Sequence, residues 1–304
     1  MKILVIGAGG QVGSELRLTL RSLSLKLRGS RLVFAYRGDL DLTNLKAIPK
    51  YLDFVSPDII VNASAYTAVD DAESQRDLAF LINGAAVEEL AFFCKRRGSI
   101  LIHISTDYVF DGMGDRPYTE SDDVAPTGIY GGSKLAGERA IGELLEEYII
   151  LRTSWVFGVW GNNFVKTILR LGKDKDEVDI VADQCGAPTS ARAIAACIGE
   201  IIRQIATEAG LKQRWGTYHY SGVPYVSWAE FAREIFEQAA IRGLISAPPT
   251  VREISTIDYP TAAVRPANSR LDCSKLKSSF GIEPDDWKGS LSLMLDELQE
   301  GIQN

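Results

Sequence analysis

The chain has 304 residues, 46% of them hydrophobic and 24% charged, the composition of an ordinary globular protein with room for one large domain or two modest ones. A formal net charge of -7 excludes the accumulated Lys and Arg on which nucleic-acid and anionic-lipid binding depend. Four widely separated cysteines (Cys94, Cys185, Cys197, Cys273), without a C-x-x-C pair and with two histidines in the whole chain, indicate neither a zinc site nor a disulfide framework, so the expected compartment is the reducing cytoplasm.

The chain opens on an apolar run that breaks at Gly7-Ala8-Gly9-Gly10, too short for a signal-peptide core, and no later run approaches the roughly 18 residues of a membrane helix. Short runs rich in Ile and Val recur at residues 2–6, 32–35, 59–62, 100–105 and 148–151, separated by segments of helical period. That alternation predicts an α/β fold with a doubly wound parallel sheet, covered by helices on both faces and with all strand C-termini on one ligand-binding edge. After about Trp155 the rhythm loosens through a Gly/Asn turn, the charged segment 173–177 and a helix from about Ala191 to Glu208. From about Trp215 onward Pro224, Pro248, Pro249, Pro260 and Pro266 interrupt helical patches. Residues 1–155 are therefore read as the dinucleotide-binding half, with about 178–212 returning to it. Residues 156–177 and 213–304 are read as a smaller, irregular substrate lobe.

Gly7, Gly10 and Gly13 follow the first strand and open a helix, where backbone N–H groups and the helix dipole can hold a pyrophosphate; strand before and helix behind make this a Rossmann cofactor loop. The spacing is G-x-x-G-x-x-G, because Val12 stands where the stricter G-x-G-x-x-G needs a glycine. The second strand runs out in Ala35-Tyr36-Arg37, with no acid at its end to bond a ribose 2'-hydroxyl and with Arg37 at hand for a 2'-phosphate, so NADPH is expected over NADH.

Tyr130 and Lys134 stand at i and i+4 of a predicted helix and share one face. The expectation is that the Lys134 ammonium, with the cation of an oxidised nicotinamide, lowers the Tyr130 pKa so that the phenol can protonate a nascent alkoxide and recover its proton. Thr106, at the end of the strand 100–105 and on the same sheet edge, delivers a hydroxyl opposite Tyr130 to fix the substrate oxygen. His103 and His219 each flank an apolar strand and are read as satisfied structural residues.

With Gly7/Gly10/Gly13, Thr106 and Tyr130/Lys134 in order, the chain resembles the extended short-chain dehydrogenases, and among them the dTDP-4-dehydrorhamnose reductase family. The likeness is carried by segments 10–13, 62–70, 105–110, 152–156, 161–164, 186–189 and 265–266. It implies reduction of a dTDP-sugar 4-ketone by NAD(P)H. It implies cofactor contacts from Gln11, Val12, Asp41, Leu42, Ala65, Tyr66 and Thr67, and sugar-nucleotide contacts from Thr106, Asp107 and Trp155. Arg265 is added as a candidate for the substrate diphosphate, on the fit of guanidinium to phosphate. Some members of the family carry a Glu for Mg2+ at a subunit contact three residues past the Ala-Pro-Thr turn. Here Arg192 stands there, so no Mg2+ site is expected, and a monomer or homodimer is left open. Related scaffolds serve as nucleotide-sugar epimerases and dehydratases, or as a non-catalytic subunit like the methionine adenosyltransferase beta subunit. The intact Thr106, Tyr130 and Lys134 set favours catalysis over the last.

Overall fold

In the computed structural model, which describes residues 1–26, 30–207 and 214–303, the apolar runs form the expected parallel sheet. Five strands, β1 (Lys2–Ile6), β2 (Arg31–Ala35), β3 (Ile59–Asn62), β4 (Ile100–Thr106) and β5 (Tyr148–Thr153), pair in parallel in the order β2-β1-β3-β4-β5. Successive side chains of one strand enter opposite cores, as the two-residue period of a pleated strand demands. Ile3 and Val5 pack with helices α1 (Gln11–Lys26) and α6 (Ala191–Thr207), whereas Leu4 and Ile6 pack with α2 (Ala47–Val55) and α3 (Ala86–Arg97). The order reverses between β1 and β3, and the loops after these strands open a crevice at the switch point.

The helix α4 (Ile129–Leu144) follows β4 and carries Tyr130 in its first turn. Beyond β5 the chain builds a second core around α5 (Phe164–Asp174), α7 (Trp228–Ile241) and α9 (Trp287–Gln303), with Phe157, Phe231 and Trp287 buried at its centre. Its two-stranded sheet pairs β6 (Glu177–Val181) with β8 (Thr250–Ile254).

The lobes interleave more than the sequence reading places them. Residues 178–181 fall in the small lobe, because β6 alternates exposed and buried residues, a pattern for a sheet covered on one face. Conversely β7 (Gly216–His219), inside the segment assigned to the substrate lobe, is the sixth strand of the central sheet, beside β5. The short helix α8 (Ser274–Phe280) sends Leu276 and Phe280 into the core beneath it. An outermost strand pairs on one side only, so β7 shows none of the continuous apolar character of β1 or β3. Glu208 and the boundary at 212–213 lie outside the described residues. Among the described residues no helix is long and apolar enough to cross a membrane.

Candidate active site

A cleft of about 700 Å³ runs along the switch point, from the glycine loop to the turn after β5. Steric necessity shapes its first end. Gly7 holds a left-handed φ of 80°, and a Cβ there would lie 2.8 Å from the Ser64 backbone. At Gly13 a Cβ would stand 2.0 Å from the Gly7 carbonyl oxygen, so only glycine lets α1 start this close to β1. Gly10, Gln11 and Val12 then face the cleft over the start of α1. The small lobe braces this loop: Asn163 Nδ2 donates to Gln11 Oε1 at 2.9 Å, and Trp160 Nε1 to Glu15 Oε1 at 3.1 Å. Opposite, Ala65 and Thr67 line the cleft after β3. Both backbone groups of Tyr66 are held by Asn83, whose amide also donates to Ser133 of α4 at 3.0 Å. Asn83 sits in a π-helical turn, a local irregularity that often marks functional positions.

The middle of the cleft carries the reactive groups. Thr106 ends β4, donates to Asp107 Oδ1 at 3.0 Å and caps the turn that follows by accepting from the Tyr108 N–H. Tyr130 lines the same cleft, its ring edge-on to Tyr108 at 5.5 Å. Burial pushes the Tyr130 phenol above its ordinary value, a shift only partly offset by the neighbouring Thr106 side chain. In the cofactor-free site the phenol therefore stands above its ordinary value and not below it, as the sequence reading expected of Tyr130 beside Lys134 and an oxidised nicotinamide. Lys134 is 2% exposed and donates to the Ile104 carbonyl at 2.7 Å, with His103 Nε2 at 3.1 Å, so its nitrogen is committed to β4. Burial brings the Lys134 amine down to about 8.

The far end is polar and incompletely paired. Asp107 Oδ2, Ser105 Oγ and Thr153 Oγ1 are buried without a hydrogen-bond partner, although all three residues line the cleft. Burial pushes the Asp107 carboxyl up to about 6, against the pull of the Ser269 and Thr106 hydroxyls. Trp155 adopts a left-handed φ of 47° and stacks on Trp228 with ring centroids 3.5 Å apart. Its ring presses on Gly186, where a Cβ would meet the indole at 2.5 Å. A bulky residue held off its preferred backbone region, at the mouth of a cleft, is the sort of strain that ligand sites retain.

The RmlD substrate binding domain model matches residues 1–300. A dTDP-4-dehydrorhamnose reductase of Aggregatibacter actinomycetemcomitans is 43% identical over 95% of this chain and 97% of its own length. The chain belongs to the dTDP-4-dehydrorhamnose reductase family. Another reductase of that name, from Escherichia coli K12, is 41% identical over 98% of both chains. Among solved structures, a Clostridium acetobutylicum dTDP-4-dehydrorhamnose reductase superposes with a TM-score of 0.88 at 37% identity, covering 98% of this chain and all (100%) of its own. A Bacillus anthracis dTDP-4-dehydrorhamnose reductase in complex with NADP gives 0.84 at 36% identity, over 97% of this chain and 99% of that one.

Of the site residues read from the sequence, the fold gathers Gly7, Gly10, Gln11, Val12, Ala65, Thr67, Thr106, Asp107, Tyr130, Lys134 and Trp155 around one cleft. Five stand outside its lining. Arg37 is exposed in the turn after β2, near enough to Asp41 to help lower its pKa. Asp41 is exposed and turned to Thr43, and the Leu42 side chain is buried in the core. Tyr66 presents a clamped backbone. Arg265 pairs with Asp70 and donates to the Tyr108 hydroxyl at 3.0 Å. Arg192 pairs with Glu297 and lies 3.7 Å from Glu15. Sequence reasoning passed over Ser105, Thr153, Asn83 and Asn62. Asn62 carried a signal: an amide ending an apolar strand, in register with His103 on the next.

Proposed function

We propose that this chain reduces the 4-keto group of dTDP-4-dehydro-L-rhamnose to give dTDP-L-rhamnose, with NADPH as reductant. One observation supports the chemistry above all: two hydroxyl-bearing side chains, Thr106 and Tyr130, line one cleft together with the glycine loop, the Tyr130 phenol half-buried and pushed above its ordinary value by desolvation. A reductase needs a loaded acid for the oxygen that becomes an alkoxide, and a raised pKa keeps Tyr130 loaded at neutral pH. NADPH, when bound, supplies the hydride. The cradle of Gly7, Gly10 and Gly13 at the start of α1, where side chains would close the space, suits its pyrophosphate.

With substrate bound, the Thr106 hydroxyl turns its proton from Asp107 to the substrate oxygen and orients it, and Tyr130 gives that oxygen a proton. The uncommitted Asp107 Oδ2, Ser105 Oγ and Thr153 Oγ1 take the sugar hydroxyls, which relieves the cost of burying them unpaired. Trp155, stiffened by Trp228, offers a flat wall to the nucleotide sugar. Arg265 has N–H groups beyond those given to Asp70 and Tyr108, and we assign it to the diphosphate. The 2'-phosphate is assigned to Arg37, and the reductase is placed in the cytoplasm. At the family's metal position the Arg192 guanidinium, already paired with Glu297, opposes a cation, so a chelator leaves turnover unchanged.

The test is stoichiometry. Purified chain supplied with dTDP-4-dehydro-L-rhamnose should consume one NADPH per dTDP-L-rhamnose formed and should release the oxidised cofactor. Cofactor that copurifies tightly, with a sugar epimerised and no net NADPH loss, would replace the reductase reading by an epimerase.

A further inference from the structure

Asp70 and Arg265 stand 195 residues apart in the chain and meet at the edge of the cleft, one from each lobe. Asp70 sits in the short helix Val69–Ser74 of the cofactor half, directly after Val69, which lines the cleft. Its Oδ1 accepts from the Ala263 backbone N–H at 3.1 Å, and its Oδ2 accepts from Arg265 Nη2. Arg265 Nη1 donates to the hydroxyl of Tyr108, another residue of the cleft lining, at 3.0 Å. The guanidinium is therefore held at two corners, and its stem starts two residues after the buried Ala263 that the same carboxylate fixes. Beyond Arg265 the chain is anchored without Asp70. Pro266 packs against Gly112, where a Cβ would stand 2.5 Å away, and the Asn268 N–H donates to the Gly112 carbonyl at 2.9 Å.

With side chains 27% and 43% exposed, the Arg265–Asp70 pair adds little to stability, so its consequence is directional. A guanidinium carries five N–H donors. Two are spent here and three remain, enough for a two-point grip on a phosphate. An arginine left unheld loses rotamer freedom when a ligand orders it, and that loss is subtracted from affinity. We propose that Asp70 is a positioning residue: reaching from the cofactor half to the small lobe, it sets the Arg265 guanidinium beside Tyr108 so that the substrate diphosphate meets a cation already ordered. The proposal rests on the diphosphate role given to Arg265 above, and its test needs no turnover.

The probe is dTDP, titrated calorimetrically into wild type, Asp70→Asn, Arg265→Gln and the double variant, with NADPH titrated alongside. Asn at position 70 keeps a carbonyl for the Ala263 N–H and removes the charge. The Kd for dTDP should rise about five- to tenfold in Asp70→Asn, the cost of ordering one mobile side chain on binding. It should rise about tenfold or more in Arg265→Gln, which loses the charged donor itself. In the Arg265→Gln background Asp70→Asn should add less than about twofold, because nothing is left to aim, and NADPH affinity should move less than about twofold throughout. The proposal is overturned if Asp70→Asn binds dTDP as wild type does, or more tightly because a repelling carboxylate is gone. It is equally overturned if Asp70→Asn weakens dTDP as much without Arg265 as with it, or weakens NADPH to the same extent. An Arg265→Gln variant that binds dTDP undiminished would remove the diphosphate reading and this proposal together, whereas a loss in Arg265→Gln without one in Asp70→Asn removes the proposal alone. Should Asp70→Asn not fold, 15N spectra of the arginine side chains in wild type decide. A guanidinium held at two corners gives separate Nη signals before ligand is added, absent in Arg265→Gln and shifted by dTDP, and Nη signals averaged by free rotation would overturn the proposal.

Discussion

The two ends of the cleft are built by opposite rules. At the glycine end there is no room for side chains: Gly7 and Gly13 are required by backbone atoms 2.8 and 2.0 Å from where a Cβ would stand, and what remains is a curved main chain. At the reacting end there is an excess of side-chain chemistry, with half-buried Tyr130 and buried Lys134 both shifted from their ordinary pKa values and Asp107, Ser105 and Thr153 left short of partners. The first end is specified by shape and costs the fold little. The second is specified by polar groups that a ligand must satisfy, and the fold bears the cost of holding them dry.

Substitutions should separate the two ends by what they disturb. The largest effect is expected from Tyr130→Phe, which removes the acid while keeping the ring: kcat should fall about a hundred- to ten-thousand-fold with NADPH affinity little changed, measured by steady-state rates and cofactor titration. Next is Gly13→Ala, whose methyl group would sit 2.0 Å from the Gly7 carbonyl oxygen. It should cost about 3 kcal/mol of stability, seen as a lowered Tm, and weaken NADPH binding together with it.

Asp107 tests the opposite coupling. Its folded pKa of about 6 lies above the ordinary 3.8, so the charged form costs stability above pH 6, and that cost fades as pH falls toward 3.8. Asp107→Asn should therefore stabilise the protein at neutral pH in denaturant unfolding while raising KM for the sugar about tenfold. The wild-type KM should rise as pH drops through about 6, and the variant should lose that dependence. The smallest effect is expected at exposed Arg37: Arg37→Ala should cut the preference for NADPH over NADH about fivefold, the worth of a solvent-screened ion pair, in paired KM measurements.

The same contrast governs what was legible in the sequence. The glycine loop and the strands before and after it could be read directly, because backbone sterics write themselves into residue type at fixed spacing. Thr106 and Tyr130 could be placed on one edge because every β-α crossover returns to it. The state of Lys134 was not legible. The i, i+4 spacing to Tyr130 is real, but the Lys134 nitrogen turns to His103 and Ile104 across the sheet face, a contact set by the packing of α4 on β4. Trp155 could be named but not its left-handed backbone or its stack on Trp228, which comes from α7, more than seventy residues later. β7 escaped because Gly216-Thr217-Tyr218-His219 is short and mixed in polarity, as an outermost strand is free to be.

The central claim is that this cleft passes hydride to a sugar ketone and proton from Tyr130 to its oxygen. The most direct measurement uses NADPH carrying deuterium at the reactive carbon of its nicotinamide, with dTDP-4-dehydro-L-rhamnose, and reads the product by NMR. The account predicts one deuterium at C4 of dTDP-L-rhamnose for each NADPH consumed, and almost none in the same time with Tyr130→Phe. Product without deuterium at C4, or undiminished transfer in the variant, would contradict it.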